Sequence, residues 1–379
     1  MKTVLSFLGS YFKKMDKLLL LICLALTAFD MVLVNSLYEN DFIQHKLVTT
    51  QFIAAVLGIF AAIIIGMIDY KWMAKVWYLY APIALGLQLL LFTPLAVSRD
   101  DDVAWLNLGF ITIQPSEILK LAYILTLAAH IAKLGDKINS LGRLALVCVH
   151  GLAPAALILV QGDAGSALVF VFIFICMLFI GGVSWKYIIV AVAAVPVVGY
   201  VAWNYIMGDH HRLRFQILFD EELQEQERLG AYYQQYLGKI ALGSGQLTGL
   251  GFDSDSLTEV PEIYNDFIFS YIGMTLGFIG CFAIVLALAV LCIKILSDST
   301  GSSDMLGRLI CIGVFAWITF HCIINIGMAL SVMPVIGIPL PFLSTGGTSM
   351  LMMYCGIGLV LSVTTHKEKA KHMFYTEKD

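Results

Sequence analysis

The residues best suited to chemistry sit in a few short stretches. In PEIYNDFIFS, residues 261–270, Asp266 is the last charged residue before a long apolar run that begins at Phe267. A carboxylate there has two uses. It can cap a helix start, as Asn265 also can. It can instead take a proton from a substrate hydroxyl held at a membrane surface. Glu262, one helical turn earlier, is a second carboxylate on the same stretch. QPSE at 114–117 precedes Lys120. Pro115 and Ser116 suit a helix start with Ser116 as its cap. Glu117 and Lys120, at i,i+3, suit an ion pair or a working site. QGDAGSA at 161–167 supplies Gln161 and Asp163, and IPLPFLSTGGTS at 338–349 supplies Ser344 with Gly346 and Gly347. Such glycines permit close approach of a neighbouring helix or a ligand. Arg212, Arg214 and Lys239 could face anionic headgroups or a pyrophosphate. The acids around them, among them Asp209, Asp220 and Glu221, offer pairing as the competing use.

These residues need a scaffold, and the composition says which. Of 379 residues, 59% are hydrophobic and 13% charged, with a mean hydropathy of +0.86. A soluble domain carries about 25% charged residues, so a polytopic membrane protein is expected. The net charge of −4 decides little, and no nucleic-acid partner is expected. A spanning helix needs roughly 20 mostly apolar residues. Ten stretches meet or approach that length, at 17–37, 47–68, 76–97, 115–132, 143–161, 165–182, 185–206, 267–295, 306–330 and 343–364. The expectation is an all-α bundle of ten transmembrane helices, one domain over 1–379. One large extracellular loop, 207–264, joins the seventh helix to the eighth. Within it, Gly230–Leu242 mixes tyrosines and aliphatics with Gln and Lys, as a helix lying in the interface does.

Lys and Arg set the orientation. With both termini cytoplasmic, Lys2, Lys13, Lys14, Lys17, Lys71, Lys75, Lys133, Lys137 and the C-terminal lysines Lys367, Lys369, Lys371 and Lys378 fall inside. The outer loops are then 38–46, 98–114, 162–164, 207–266 and 331–342, and the unusual residues quoted above gather in them or at their edges. Pro334, Gly337, Pro339 and Pro341 forbid a regular helix across 331–342. Such backbone near membrane depth is tolerated where protein buries it or where it lines a wet cavity. Asp30, His321 and Asn325 fall inside spans, where a proton relay or helix-to-helix hydrogen bonding can use them. The eight cysteines all lie in apolar runs and read as small core hydrophobes. The first run follows three lysines like a signal peptide. It is too long and contains Asp30, so a retained span is expected.

Taken in order, these stretches resemble the SEDS family, the polytopic group that includes RodA, FtsW and SpoVE. The matching residues are Trp105 with Asn107, FITIQPSEILKLA (110–122), QGDAGSALVF (161–170), YQQYLGKIALGSGQLTGLGF (233–252), VPEIYNDFIF (260–269) and NIGMALSVMPVIGIPLPFLSTGG (325–347). The last motif is most like the RodA branch. The chain departs from the family pattern at Ala104, Gly162, Tyr264, Asn265 and Thr345, and in its acidic 219–228.

The resemblance implies a peptidoglycan glycosyltransferase of the bacterial cytoplasmic membrane. It would polymerise lipid II at the outer face, during cell-wall elongation, beside a class B penicillin-binding protein and other elongation proteins. It implies Asp266 as general base. Arg212, Arg214, Lys239 and Lys120 become candidates for the leaving diphosphate, with a divalent cation (Mg or Mn) as a possible helper. Glu262, Gln161, Asp163 and Ser344 are further substrate-binding candidates. Trp105 would stack on a sugar or anchor its loop at the membrane lipids. A lipid-linked precursor flippase or proton-coupled transporter is the alternative, and a non-catalytic scaffold a third reading. Transport would predict midplane polar groups and related halves, and the sequence shows no internal repeat.

Overall fold

The computed structural model of the protein describes residues 9, 11–99, 102–109 and 112–367. The expected inner cations Lys2, Lys369, Lys371 and Lys378, and Phe110 and Ile111 of the first motif, lie outside the described residues.

Each expected stretch holds a helix. These are α1 (Lys17–Glu39), α2 (His45–Met67), the pair α3 (Tyr70–Lys75) and α4 (Trp77–Leu89), α5 (Pro115–Leu134), α6 (Leu141–Val160), α7 (Ala164–Ile180) and α8 (Trp185–Val201). The connection that follows carries α9 (Asp209–Gln216), α10 (Glu221–Gln226) and α11 (Tyr233–Ser244). The last three are α12 (Ile268–Thr300), α13 (Met305–Ala329) and α14 (Gly347–Thr365). Among the described residues, eight apolar helices are long enough to cross a membrane, and Trp77–Phe92 and Ala164–Ile180 are shorter.

Aspartates start five of the described helices, among them Asp69 at α3 and Asp220 at α10. Asp16, Asp163 and Asp304 accept from the N–H groups of Leu19, Ser166 and Gly307 at 2.7–2.9 Å, as N-caps do. The fourth expected span begins differently. Gln114 occupies the capping position without a side-chain bond and Pro115 follows it. Ser116 is therefore not the cap, and its Oγ lies 3.4 Å from the Ser166 Oγ on α7. Proline needs no capped N–H at the first helical position, which is why the start holds without one.

Small residues set the tightest seam. Along α2 the buried face is Gln51, Ala54, Ala55, Gly58, Ala62 and Gly66. A Cβ on Gly58 would meet the Tyr354 ring at 2.8 Å, and one on Gly358 would meet the Ala62 backbone at 3.0 Å. Lipid gives no hydrophobic drive between helices, so close backbone packing has to supply the attraction. The other face of α2 exposes Phe52, Leu57, Phe60 and Ile64, as a lipid-facing surface would. Helices α13 and α14 form the centre, while α8 buries none of its apolar stretch.

The all-helical expectation misses one element. An antiparallel three-stranded sheet is formed by β1 (Ala96–Arg99), β2 (Asp102–Asn107) and β3 (Thr112–Ile113). Val97 faces Trp105, and Leu106 faces Ile113. Ala104 and Leu106 are buried while Val103 and Trp105 are half-buried, the period of two that a strand imposes.

Helix α12 is broken. Gly277 has φ +65 and ψ −163 inside it, a backbone state that only glycine adopts readily. The loop after α11 fills the break. Phe278 and Ile279 donate their N–H groups to the carbonyls of Gln246 and Leu247, at 2.8 and 3.2 Å. In return the N–H groups of Leu250 and Gly251 donate to Met274 and Thr275, at 2.9 and 3.0 Å. Unpaired backbone groups are costly at membrane depth, and this exchange satisfies both segments.

Candidate active site

The site is built on the strap 331–346 that joins α13 to α14, and on the segment 262–267 that leads into α12. The four proline and glycine positions keep the strap non-helical, as expected. Side chains of α13 hold it from below. Asn325 donates its Nδ2 to the Ile338 carbonyl at 2.9 Å and to the Asp266 carbonyl at 3.0 Å. One turn earlier on the same face, His321 Nδ1 lies 3.1 Å from the Pro339 carbonyl.

Strap and segment are then stitched directly. Ser344 Oγ donates to the Asn265 carbonyl at 2.6 Å and accepts from the Leu340 N–H at 2.7 Å. The Thr345 N–H donates to the Tyr264 carbonyl at 2.8 Å. The Asp266 N–H donates to the Glu262 carbonyl at 3.1 Å. The backbone of Asp266 is thus fixed on both sides. Its Oδ2 lies 3.7 Å from the point where a Cβ on Gly337 would stand, and Gly337 has φ +66. Helix α12 starts at Ile268 with Phe267 in the capping position, so Asp266 lies just outside the place a capping side chain takes. Glu262 has φ +55 and its Oε1 accepts from the Tyr264 hydroxyl at 3.1 Å. Unusual backbone of this kind in a non-glycine residue clusters at functional sites.

Beneath the strap lies a buried charged cluster. Lys120 Nζ is 2.7 Å from Glu117 Oε1, and the two side chains are 1% and 2% exposed. The ammonium is also 5.2 Å from the Trp317 ring centre and 3.4 Å from His321 Nε2. Trp317 Nε1 donates to the same Nε2 at 3.1 Å. Two donors at Nε2 leave it without a proton, so Nδ1 carries one and donates to Pro339. Lys120 therefore acts on the strap through His321.

The other candidates separate. Gln161 and Gln88 exchange hydrogen bonds, Gln88 Nε2 to Gln161 Oε1 at 2.6 Å and Gln161 Nε2 to the Gln88 carbonyl at 3.0 Å. The Gln161 carbonyl also accepts from the Val103 N–H at 3.1 Å. The amide pair joins α4 to the end of α6, and the bond from Val103 ties the sheet to the bundle. Asp163 caps α7 and accepts from Gln114 Nε2 at 3.4 Å. A Cβ on Gly165, two residues on, would meet the Ile336 carbonyl of the strap at 2.6 Å. Arg214 donates to the Val335 carbonyl at 2.9 Å and so also holds the strap. Arg212 donates to the Asn204 carbonyl at 3.2 Å and lies 3.6 Å from Asp209. Lys239 is exposed in a shallow groove that also includes Glu225 and Tyr236. Trp105 lies on β2 and is half-buried. The four cations do not converge on one spot through any contact described.

Helix α11 is packed more firmly than an interfacial helix needs to be. Gln235, Gly238 and Ala241 are buried. Gln235 Nε2 donates to the carbonyls of Met328 and Met333, at 3.0 and 2.9 Å. The sequence reads Gln235 only as a polar residue of an interfacial helix, and it gives Gln51 no role. The signal each carries is an amide in register with small residues on one helix face. Among the described residues no three His, Cys, Asp or Glu side chains group as a metal cage would.

Fold and site together define a multi-pass membrane protein with a fixed carboxylate where a non-helical strap meets a broken helix. The chain belongs to the FtsW/RodA/SpoVE family, described as cell cycle proteins, which it matches over residues 16–369. It is 33% identical to the peptidoglycan glycosyltransferase MrdB of Escherichia coli K12 over 70% of this chain and 71% of that one. It is 29% identical to the stage V sporulation protein E of Bacillus subtilis 168, over 93% and 97%. The fold is similar to a chain in a structure described as the structural coordination of polymerization and crosslinking by a peptidoglycan synthase complex. There the TM-score is 0.80 at 25% identity, covering 93% of this chain and 99% of that one. It is also similar to the rod shape determining protein RodA of Thermus thermophilus, with a TM-score of 0.70 at 23% identity over 94% and 98%.

Proposed function

We propose that this chain is a peptidoglycan glycosyltransferase that polymerises lipid II at the outer face of the cytoplasmic membrane, with Asp266 as general base. The observation that carries the assignment is the mounting of Asp266. Its backbone is pinned by Glu262 and Asn325. Beside its carboxylate stands a glycine in place of a side chain. A general base has to be held within hydrogen-bond reach of the proton it takes, and a rigid mounting achieves that.

In the reaction the acceptor sugar hydroxyl gives its proton to Asp266. Its oxygen forms a bond to the donor's anomeric carbon, and the bond from that carbon to the diphosphate breaks. The polyprenyl diphosphate leaves with the electron pair. So good a leaving group needs no acid to protonate it, which is why one essential carboxylate suffices where most glycosidases use two. A divalent cation, if it takes part, would arrive on the substrate diphosphate with one or two carboxylates completing its shell, as Mg does in phosphate sites.

The same reading takes the ten helices as ten spans with both termini cytoplasmic. It also takes a class B penicillin-binding protein and other elongation proteins as partners. Proton-coupled transport, the alternative, finds less support: Asp30, Lys120, His321 and Asn325 each hold a neighbouring helix or the strap. The test is polymerisation of labelled lipid II by the purified protein, with a class B partner. Wild type should give glycan ladders, and Asp266→Asn should lose roughly 10²–10⁴-fold in rate while folded. Near-normal ladders from Asp266→Asn would remove the base from this residue.

A further inference from the structure

A second feature lies at the same end of the bundle. The turn between α1 and α2, together with Tyr264, encloses a groove of about 830 Å³. Tyr264 lies two residues before Asp266, so one wall of the groove and the proposed base are carried on the same short segment.

Its lining is mixed. Tyr38, 40% exposed, stands edge-on to His45 with ring centres 5.5 Å apart. Tyr264 supplies a second aromatic wall and Lys46, exposed, a cation. The start of α2 lies in the lining, where Gln44 holds the capping position without a side-chain bond. An uncapped helix start favours negative charge.

The groove is also rigid. The Asp41 N–H donates to the Tyr38 carbonyl, and the Phe42 N–H to the Leu37 carbonyl, at 3.1 and 2.9 Å. This closes α1 with a Schellman turn. Asp41 takes the left-handed position, φ +61, where glycine is usual. Behind the groove, buried Gln51 ties α2 to the strap, accepting from the Gly346 N–H at 3.0 Å and donating to the Ser344 carbonyl at 3.1 Å. The strap in turn holds Tyr264 and Asn265. Lys46 and Asp266 are thus carried on one connected frame.

We propose that this groove seats the diphosphate-linked sugar head of one lipid substrate. The diphosphate lies against Lys46 and the start of α2, and a sugar ring lies against Tyr38 and Tyr264. The inference rests on the glycosyltransferase reading and gives it a substrate seat. Two substrates share this chemistry, the incoming lipid-linked monomer and the lipid-linked end of the growing strand.

The test uses the full-length protein with its partner. It measures binding of fluorescent lipid II by anisotropy, and separately the kinetics and strand length of polymerisation. The variants are Lys46→Ala, Lys46→Arg and Tyr38→Phe, with the lipid-facing Leu57→Ala as control. Lys46→Ala should weaken the seat by about tenfold, the scale of one charge-assisted hydrogen bond, with unchanged melting temperature. Lys46→Arg should restore most of it. A raised KM and Kd for lipid II at unchanged kcat assigns the seat to the monomer. Unchanged Kd with shortened strands assigns it to the growing strand. Wild-type values for KM, Kd and strand length in Lys46→Ala overturn the proposal. Loss confined to stimulation by the partner also overturns it, making the groove a protein-docking surface. If wild type binds lipid II but forms no strands, the glycosyltransferase reading fails while binding still judges the groove.

Discussion

Gln51 reaches Asp30 and Ser344 with one amide nitrogen, 2.8 Å to the Asp30 Oδ2 and 3.1 Å to the Ser344 carbonyl. Both partners are buried. A side chain of α2 therefore joins the middle of α1 to the strap that holds Asn265. Gln51→Leu leaves these buried groups without their amide, at a cost of about 1–3 kcal/mol. It should lower the melting temperature in detergent and slow polymerisation. Asp30→Asn keeps an acceptor oxygen and should cost less on both measures. Equal losses in the two variants would mean that the bridge does not hold the strap.

Lys120 and Glu117 invite a comparison of single and double variants. Lys120→Met leaves Glu117 buried without its ammonium and should cost about 3–5 kcal/mol. Adding Glu117→Gln removes the orphaned charge, so the double variant should be the more stable of the two. Its melting temperature below that of Lys120→Met would contradict a structural ion pair.

The break in α12 can be probed at two glycines. Gly277 and Gly249 have φ +65 and +84. A Cβ on Gly277 would strike the Leu247 backbone at 2.6 Å, and one on Gly249 would meet Leu276 N at 2.5 Å. Gly277→Ala and Gly249→Ala should each destabilise by at least about 1–3 kcal/mol. Gly142→Ala, where nothing stands within 4 Å, is the control. Hydrogen exchange at Phe278 and Ile279 should rise in the first two only.

Much of this architecture was legible in the sequence. Helix positions followed from apolar run length, because lipid leaves the backbone few alternatives. Pro334, Gly337, Pro339 and Pro341 announced the strap, since proline and glycine constrain the backbone locally. The partners of side chains were harder to read. Gln51 to Ser344 and Gln235 to Met333 span hundreds or tens of residues, and no spacing rule connects them. Ser116 was misplaced as a cap because a serine after a proline looks like a helix start whether or not its hydroxyl bonds there. The break at Gly277 hid inside an unbroken apolar run. Its partner, GSGQLTGLGF at 243–252, belongs to a motif of the resemblance, but nothing in its spacing points to residues 274–279. The small sheet was missed because strand alternation over only six residues is weak beside the surrounding helical signal.

Asp304 carries a pH dependence at the opposite end of α13 from the strap. Burial raises its carboxyl, but the Gly307 N–H, the Tyr70 hydroxyl and Lys71 outweigh it and hold the group below the usual carboxylate range. A depressed folded value means stability that is present above about pH 4, the unfolded range, and lost as pH falls through the lower folded value. Asp304→Asn should therefore melt below wild type at pH 7. The gap should close on acidification towards pH 3, and a gap constant with pH would show that the carboxylate charge contributes nothing.

The exchange of hydrogen bonds between residues 246–251 and the break in α12 has a consequence for how this chain can vary. The long connection between α8 and α12 is anchored at its C-terminal end as though it were a piece of the bundle. Length changes there would strip partners from four backbone groups within the fold. Tolerance should lie upstream, around Phe219 and Leu229, both 87% exposed. An epitope tag or a fluorescent reporter belongs at 219–229, and a deletion scan through this connection should meet a sharp boundary near Gly245.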